Sequence, residues 1–420
     1  MKRSRKVIMS VLLTASLAMP AFGANAASIN SNGDEKIRVY VEASDASTKS
    51  ALKDNYKVRW ELSENGFSTE MTEKQFIALQ KNKNVQVTKV QEVTLDTDVR
   101  ATQSQVTAAE YPSHQTPWGI KAIYNNSNQT TTSGGQGINI AVLDTGVYVD
   151  HYDLEGTVEQ CKNFTGSTTV INGSCNDANG HGTHVAGSAL ADGGYDGAGV
   201  YGVAPQADLW AYKVLGDNGS GYSDDIAAAI RHTADQATAT GTKTVINMSL
   251  GSAGNDSLIS NAVNYAYGKG VLVVAAAGNS GPNQGTIGYP GALVNAVAVA
   301  ALENVQQNGT YRVANFSSRG YASTDGDYYI NQGDVEISAP GASIYSTWNN
   351  GGYNTISGTS MATPHVAGLA AKIWAQNPSW SHTQLRANLQ SRARNYDIKG
   401  GYGAVTGDDY ASGFGFARVN

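Results

Sequence analysis

Apolar runs and helical patterns alternate along most of the chain. The runs rich in Val, Ile and Ala occupy residues 138–144, 208–215, 244–250 and 271–279. Such runs are typical of parallel strands that are buried on both faces. Helical spacing follows His181, extends from Ser223 to about Thr240, begins again at Leu258, and covers residues 365–374. This alternation predicts an α/β fold with a mainly parallel central sheet.

The N-terminal quarter has a different pattern. Residues 37–43 and 85–95 alternate apolar and polar positions as half-buried strands do, and residues 72–82 have helical spacing. The region is rich in Lys and Glu, and a polar stretch follows it over residues 96–109. We expect residues 27–111 to form a small α+β domain with a linker.

The first 26 residues have the pattern of a secretory signal peptide. Four basic residues precede an apolar run over residues 7–19, and small residues close the segment at Ala24 and Ala26. The alternative is a membrane anchor, but the run is shorter than the roughly 20 residues that span a bilayer. The sequence therefore predicts export, with no membrane partner after cleavage.

Charge and cysteine content agree with an extracellular protein. Residues 112–420 contain 22 Asp and Glu against 14 Lys and Arg, a net charge of −8, which argues against a nucleic-acid partner. The two cysteines, Cys161 and Cys175, lie 14 residues apart. In an oxidising compartment this spacing predicts one local disulfide, with two buried thiols as the alternative.

Three polar residues lie at the ends of predicted strands. Asp144 ends the first run, Ser249 lies near the end of the third, and Asn279 ends the fourth. Functional residues of open α/β sheets gather beyond the carboxyl ends of the strands. These three side chains are therefore expected at one edge of the sheet.

Four short segments supply the parts of a nucleophilic acyl-transfer site. They are AVLDTG around Asp144, NGHGTHVAG around His181, VVAAAGNSG around Asn279 and SGTSMATPHVAG around Ser360. A serine nucleophile needs a histidine base, a carboxylate that orients the base, and donors for the oxyanion. Ser360, His181, Asp144 and Asn279 are candidates for these roles.

With these motifs in the order Asp, His, Ser, the segment from about Trp118 to Asn420 resembles the subtilisin-like serine proteases of secreted bacterial type. The resemblance implies a three-layer subtilisin-like catalytic domain over residues 112–420 and broad endopeptidase activity on extended polypeptides. It also implies that the side-chain amide of Asn279 serves as an oxyanion donor. Pro364 is expected in the first turn of a helix, which would place Ser360 at or near the helix start.

The resemblance further implies the substrate contacts. Ser249, Leu250 and Gly251 match the edge segment that pairs with a peptide, and Ala276, Gly278 and Gly288 match the walls of the first specificity pocket. Small and apolar walls predict a preference for large apolar side chains before the scissile bond. No acidic cluster of the kind used for dibasic specificity is found at these positions.

Residues 27–111 occupy the position of a subtilisin propeptide, which acts as folding chaperone and intramolecular inhibitor and is removed by self-cleavage. We place the cut near Tyr111 or Pro112, and expect a monomeric mature enzyme. An accessory domain retained in the mature protein is the alternative.

Calcium is the cofactor that the resemblance implies. Asp153 matches a family ligand, and the loop after the His181 helix adds Asp192 and Asp196, which depart from the family pattern. Carboxylates are the hard oxygen ligands that calcium prefers. An insert over residues 323–336 contains Asp325, Asp327 and Asp334 and is a second candidate, although both loops are also explained as solvated acidic loops.

Other chemistries fit the motifs less well. His181 and His184 could face one metal, but no Glu lies between them and no third ligand is near. The Asp144 loop also matches an aspartic protease, yet a second Asp-Thr-Gly is absent from the sequence. An esterase would need a G-x-S-x-G elbow, which Ser360 lacks. A silent binding protein is disfavoured because all four candidate catalytic residues are present.

Overall fold

The computed structural model describes residues 35–95, 112–166 and 170–420. The predicted signal peptide and the expected cut near Tyr111 lie outside these ranges. The described residues form an N-terminal domain and a larger C-terminal domain, which is called the catalytic domain below because the resemblance implies that role.

The N-terminal domain is a four-stranded antiparallel sheet with two helices. Its elements are β1 (Lys36–Ala43), α1 (Ala46–Lys53), β2 (Val58–Glu61), β3 (Gly66–Thr72), α2 (Glu73–Leu79) and β4 (Val85–Lys89). The strand order is β2-β3-β1-β4. The side chains of Asp45 and Thr72 cap the two helices. The strand–helix–strand prediction was therefore incomplete, since it missed α1, β2 and β3.

Residues 85–95 form two strands, whereas the alternation predicted one. After β4 the chain continues as β5 (Glu92–Thr94), which leaves the N-terminal sheet and pairs with β10 (Ser220–Tyr222) of the catalytic domain. Alternation reports only which face is buried. It does not report which sheet buries it.

A nine-stranded, mainly parallel sheet forms the centre of the catalytic domain. Its strands are β6 (Ile138–Asp144), β7 (Val158–Asn163), β8 (Ile171–Asn172), β9 (Asp208–Lys213), β11 (Lys243–Met248), β12 (Leu272–Ala276), β13 (Ala296–Gln307), β14 (Thr310–Val313) and β15 (Ile337–Pro340). The order is β14-β13-β12-β11-β6-β9-β7-β8, and β15 also pairs with β13. Only β8 and β14 run antiparallel to their neighbours. A separate hairpin contains β16 (Ile344–Thr347) and β17 (Tyr353–Ile356).

Helices cover both faces of this sheet. They are α3 (Trp118–Ile123), α4 (His181–Leu190), α5 (Ser223–Thr240), α6 (Ser257–Gly268), α7 (Thr359–Gln376) and α8 (His382–Arg394), with a short 3₁₀ turn at Ala322–Thr324. α4 and α7 pack together on one face, and α5 and α6 pack together on the other. The predicted three-layer α/β fold is confirmed.

The predicted disulfide is present. Cys161 in β7 is bonded to Cys175, and their Cα atoms are 5.2 Å apart. The bond closes the hairpin that β7 and β8 form at one end of the sheet.

Candidate active site

Asp144 and His181 are joined by a hydrogen bond at the edge of the sheet. Asp144 is the last residue of β6 and is fully buried, and His181 is the first residue of α4. The His181 Nδ1 atom lies 2.7 Å from Asp144 Oδ1. The left-handed Gly180 precedes the helix with φ +106°, and a β-carbon there would lie 2.4 Å from the Trp348 ring. Glycine is thus required at this position both for its backbone angle and for space.

Asp177 holds this pair in place, although no local sequence pattern pointed to it. Its carboxylate accepts hydrogen bonds from the Thr145 hydroxyl at 2.9 Å, from the Thr183 hydroxyl at 2.6 Å, and from the Gly180 amide at 2.9 Å. The Thr145 hydroxyl oxygen in turn accepts from the Gly182 amide at 3.0 Å. The loop after β6 and the start of α4 are therefore connected through one buried carboxylate.

The pKa values of the two histidines on α4 are shifted in opposite directions. Burial lowers the pKa of His181, but the charge and hydrogen bond of Asp144, with the charge of Asp177, outweigh burial and raise it above its usual value. Burial lowers the pKa of His184 to about 3, and its Nε2 faces the Ile344 carbonyl oxygen at 2.9 Å. His184 is a neutral, packed side chain, whereas His181 is poised to hold a proton.

Ser360 is the second residue of α7 and is joined to Ser249. The predicted helix start is correct, but Pro364 is the sixth residue of the helix and not part of its first turn. A proline inside a helix leaves the carbonyl four residues earlier without its partner, and that carbonyl belongs to Ser360. The Ser249 hydroxyl donates to it at 2.7 Å. The Ser360 hydroxyl donates to the Ser249 carbonyl oxygen at 3.1 Å.

Asn279 lies beside the start of α7. Its Oδ1 accepts hydrogen bonds from the Thr359 amide at 2.9 Å and the Thr359 hydroxyl at 3.1 Å. These bonds direct the NH₂ group away from Thr359. A β-carbon on Gly358 would lie 3.5 Å from Asn279 Nδ2 and 3.6 Å from the Ser360 amide nitrogen. Two donors therefore flank one small space, which the β-carbon of any residue other than glycine at position 358 would occupy. Thr359 is a supporting residue that the motifs did not single out.

A cleft of about 510 Å³ opens from this point. No charged residue is among the described residues that line it, which include Leu250, Gly251, Ala276, Gly278, Asn279, Ile287, Gly288 and Ser360. Ser249 lies beneath this lining and is fully buried. The structure thus brings the expected substrate-binding residues together at the proposed nucleophile.

The end of the N-terminal domain lies in the same cleft. Thr94 and Leu95 line it together with Ser360. β5 pairs with β10 on one side, and Thr94 forms an antiparallel bridge with Gly251 on the other. The tail is therefore the middle strand of three, in the manner of an extended peptide bound between two edge segments.

Known proteins resemble most or all of this chain. The sequence profile described as the Subtilase family matches residues 135–415. This chain belongs to the subtilase family. "Subtilisin" from Bacillus sp. (strain TA39) is 65% identical and covers 100% of both chains. "Subtilisin Savinase" from Lederbergia lenta is 40% identical over 69% of this chain and 95% of that protein.

Two solved structures are also similar to this subtilase. "Sphericase" is 79% identical, with a TM-score of 0.73, over 73% of this chain and 99% of that chain. "S41 Psychrophilic Protease" is 72% identical with the same coverage and TM-score. The chain is a serine endopeptidase of the subtilisin type. In the ranges that the structure describes, no helix combines the length and apolar character needed to cross a membrane.

Asp153 is the best placed of the three expected calcium ligands in this subtilase. It is fully buried, its Oδ2 accepts from the Val200 amide at 2.9 Å, and the Tyr353 hydroxyl interacts with the carboxylate, whereas its Oδ1 has no partner of good hydrogen-bond geometry among the described residues. Burial, with the charges of Asp192 and Asp196, raises its pKa to about 6. A β-carbon on Gly199 would lie 1.6 Å from Oδ1, so the backbone approaches this oxygen closely. The carboxylates of Asp153, Asp192 and Asp196 give this site negative charge, which would favour binding of a cation.

The other acidic residues are arranged less favourably. Asp196 is exposed and accepts from the Tyr152 hydroxyl and from the Ala198 amide. In the insert, Asp334 accepts from Thr324 and Asn331, while Asp327 accepts from the Tyr329 amide. Within the described part of the chain, no cluster of three or more His, Cys, Asp or Glu side chains is arranged to hold a metal ion. Calcium at these loops would need backbone oxygens as ligands in addition to carboxylates.

Proposed function

We propose that this chain is the precursor of a secreted endopeptidase that cleaves extended polypeptides through an acyl-enzyme on Ser360. The proposal rests on the hydrogen-bonded pair of Asp144 and His181 at the start of α4, which packs against α7, and on Asn279 and Ser360, which line one peptide-sized cleft with no charged residue in its described lining. The signal peptide pattern and the secreted character of bacterial subtilisins support export.

The reaction would follow from the positions of these groups. His181 takes the hydroxyl proton of Ser360 as the serine oxygen attacks the peptide carbonyl carbon, and then gives a proton to the leaving amine. Water hydrolyses the acyl-enzyme with the same base. Asp144 accepts a hydrogen bond from the Nδ1–H group of His181. This bond fixes one tautomer of the imidazole and stabilises the imidazolium.

The oxyanion would be stabilised by the Ser360 amide and the Asn279 side-chain amide. Both donors flank Gly358, and the Ser360 amide lies at a helix N-terminus, where the dipole favours negative charge. Removing one such side-chain donor costs about 3 to 4 kcal/mol of transition-state stabilisation.

The first specificity pocket supports selection of large apolar residues. Ala276, Gly278 and Gly288 leave space, Ile287 adds an apolar wall, and no charged side chain is among the described lining residues. Backbone pairing to Gly251 and to β10 recognises any extended strand, which supports broad specificity at the remaining positions.

We further propose that residues 27–111 are a propeptide that inhibits the enzyme until it is removed. The tail that contains Thr94 and Leu95 occupies the cleft and would compete with substrate. The share of this chain that the solved relatives cover, 73%, is close to the share between residues 112 and 420. We therefore keep the predicted division into residues 1–26, 27–111 and 112–420, with a monomeric mature enzyme.

Calcium is the proposed cofactor, held by Asp153 with oxygens of the loop over residues 192–200. The unpartnered Asp153 Oδ1 and the closely packed Gly199 backbone support this choice. The ion would neutralise a buried carboxylate and join two loops next to α4. It would take no part in the bond-breaking steps.

The test is hydrolysis of casein, and of a chromogenic peptide with phenylalanine before the cleaved bond, by the secreted wild type and by Ser360→Ala. We expect the variant to be inactive and to accumulate as unprocessed precursor. Ser357→Ala, a nearby serine outside the proposed triad, is the control and should be processed. A processed Ser360→Ala protein would show that another protease removes the N-terminal domain, and an active one would refute the assigned nucleophile.

A further inference from the structure

A short segment, residues 316–319, lies behind the first specificity pocket. It is found between β14 and the 3₁₀ turn at Ala322–Thr324. Ser317, Ser318 and Arg319 are fully buried, and no residue of this segment is among those that line the cleft. The segment would therefore act on a substrate only through the walls of the pocket.

The pocket wall that begins at Gly278 is hydrogen-bonded to this segment. The Ser318 amide donates to the Gly278 carbonyl oxygen at 2.8 Å, and the Ser280 amide donates to the Ser318 hydroxyl oxygen at 3.0 Å. Gly278 has φ +102°, and a β-carbon there would lie 2.9 Å from Ser318 Oγ. The Gly281 amide donates to the Phe316 carbonyl oxygen at 3.0 Å. This wall therefore takes its position from the segment behind it.

A second wall, which contains Thr286 and Ile287, is hydrogen-bonded to the same segment. The Thr286 and Ile287 amides both donate to the Arg319 carbonyl oxygen at 3.0 Å. In return, the Arg319 amide donates to the Thr286 hydroxyl oxygen at 3.0 Å. One segment thus connects both walls, so its position determines how far apart they lie.

The Arg319 side chain holds the segment itself in place. Its buried guanidinium donates to three backbone carbonyl oxygens, from Nε to Tyr402 at 3.1 Å, and from Nη1 to Ala314 at 3.2 Å and to Ser317. Ala314 and Ser317 form the turn that leads into the segment, since the Ser317 amide donates to the Ala314 carbonyl oxygen at 3.1 Å. A planar guanidinium has five donors in a fixed geometry, so it can connect several acceptors at once.

The burial of this cation is unfavourable by itself. Burial lowers the pKa of Arg319 to about 10, so the side chain remains charged at neutral pH. Its Nη2 has no hydrogen-bond partner among the described residues. An uncharged side chain of similar length would fill the same space without the cost of desolvating a charge. The bonds to the three carbonyl oxygens therefore explain this residue better than packing does.

We propose that Arg319 is a positioning residue for substrate selection, and that its guanidinium fixes the dimensions of the first specificity pocket. It acts through residues 316–319 and contacts no reacting atom. The inference rests on the proposed function, since it concerns the specificity of that same site. A large apolar side chain needs both walls in place, whereas a small one does not fill the pocket. Displacement of a wall should therefore affect large and small substrates unequally.

The test is hydrolysis of chromogenic peptides that differ only in the residue before the cleaved bond, which is phenylalanine, leucine or alanine. The mature enzyme is prepared from the full precursor, and its active fraction is titrated with a sulfonyl fluoride. The kinetic constants then refer to folded enzyme alone. The ratio of kcat/KM for the phenylalanine peptide to kcat/KM for the alanine peptide reports the state of the pocket.

Two substitutions of the arginine should change this ratio to different extents. Arg319→Met keeps much of the side-chain length but has no donor, and it should lower the ratio at least about tenfold. Arg319→Lys keeps the charge but not the planar arrangement of donors, and it should give an intermediate ratio. The pH dependence of kcat/KM should match that of the wild type in both variants, because His181 is not displaced.

Two further variants separate this role from general stability. Arg392→Met is the matched control, because Arg392 also donates to backbone carbonyl oxygens, and these lie outside the cleft. It should lower the thermal midpoint and leave the ratio unchanged. Ser318→Ala keeps Arg319 but removes the acceptor of the Ser280 amide, and it should lower the ratio about threefold or more. This smaller change tests the segment even where the arginine variants fail to fold.

Other outcomes would separate the two proposals. Equal losses for all three peptides, with the wild-type ratio retained in Arg319→Met and in Ser318→Ala, would overturn the inference and leave the proposed function standing. A folded wild-type enzyme that hydrolyses none of the peptides would overturn both.

Discussion

Ser249 and Ser360 exchange two hydrogen bonds, and each uses its hydroxyl to bind the carbonyl oxygen of the other. The exchange is possible because Pro364 has no amide hydrogen for the Ser360 carbonyl. The Asn247 side chain adds a further bond, since its Nδ2 donates to Ser249 Oγ at 2.9 Å. The proline in α7 thus connects the substrate-binding edge to the backbone of the proposed nucleophile.

Replacement of Ser249 by alanine should weaken this connection. The Ser360 carbonyl would lose its partner in a buried site, which costs about 1 to 3 kcal/mol of unfolding free energy. A small displacement of the nucleophile should also lower kcat by about tenfold or more. Chemical denaturation and peptide kinetics measure the two effects. Ser260→Ala on α6 is the control, and equal behaviour of the two variants would contradict the proposed role of Ser249.

The raised pKa of His181 determines the acid limit of activity. The imidazole accepts the serine proton only when it is neutral, so kcat/KM should rise with pH through a pKa above 6.5. Asp177→Asn removes one negative charge that stabilises the imidazolium. The rise of kcat/KM with pH should therefore occur at lower pH in that variant.

Asp217→Asn serves as the matched control for this shift. Asp217 is exposed and pairs with Lys213, and it is not among the groups that shift the pKa of His181. Its pH profile should overlay that of the wild type. A profile for Asp177→Asn that also overlays the wild type would contradict the electrostatic role of Asp177.

Stability without calcium should decrease as the pH rises through the titration of Asp153. Its pKa is raised from 3.8 to about 6, so the folded state is favoured while the carboxyl is protonated and is penalised as it ionises. The penalty grows between about pH 4 and pH 7 and reaches about 3 kcal/mol. Calcium should remove most of it, because the ion stabilises the carboxylate.

The measurement is the unfolding free energy from pH 4 to pH 7 with calcium and with a chelator. Asp153→Asn should lose both this part of the pH dependence and the stabilisation by calcium. Asp235→Asn is the control, because this exposed carboxylate lies on α5, outside the loop proposed to hold the ion. A calcium effect that survives in Asp153→Asn would place the ion elsewhere.

Arg59 should hold the propeptide on the enzyme after cleavage. This arginine is 4% exposed, and its Nη2 donates to Asp225 Oδ1 at 3.0 Å and to the Gly166 carbonyl oxygen at 2.9 Å. Asp225 lies in the first turn of α5 and also accepts from Trp60 Nε1 at 2.6 Å. Without Arg59, Arg38 is left to compensate both Asp224 and Asp225, and a buried charge that has lost one partner costs up to about 3 to 5 kcal/mol.

Arg59→Ala should therefore weaken the complex of cleaved propeptide and enzyme by at least about 100-fold. The fraction of propeptide that co-elutes with the enzyme, measured over a dilution series, reports this change. Lys89→Ala is the control, since the described partners of the Lys89 side chain, Glu73 and Phe76, both lie inside the N-terminal domain. Equal dissociation of the two variants would show that the Arg59 contacts do not hold the domains together.

Local sequence patterns predicted the elements that position the catalytic groups. Continuous apolar runs and motif spacing located β6, α5 and the start of α7, because burial on both faces and helix geometry leave a local signature. The disulfide between Cys161 and Cys175 followed from cysteine count and compartment.

The supporting contacts were not predictable in this way. Asp177 and Thr359 act through partners that tertiary folding supplies: Asp177 stands in no pattern that distinguishes it from a polar loop residue, and the motif that contains Thr359 does not assign it a role. The role of Pro364 depends on Ser249, which lies 111 residues from Ser360 in the sequence. The departure of β5 from its own domain depends on pairing with β10, which alternation in one segment cannot specify.

The most direct test of the proposed active site is reaction of the mature enzyme with a sulfonyl fluoride, followed by intact mass and peptide mapping. One label per active molecule on Ser360, formed in proportion to the loss of peptide hydrolysis, is the predicted result. A label on a different residue, or full activity after Ser360 is modified, would contradict the assignment of Ser360 as the nucleophile.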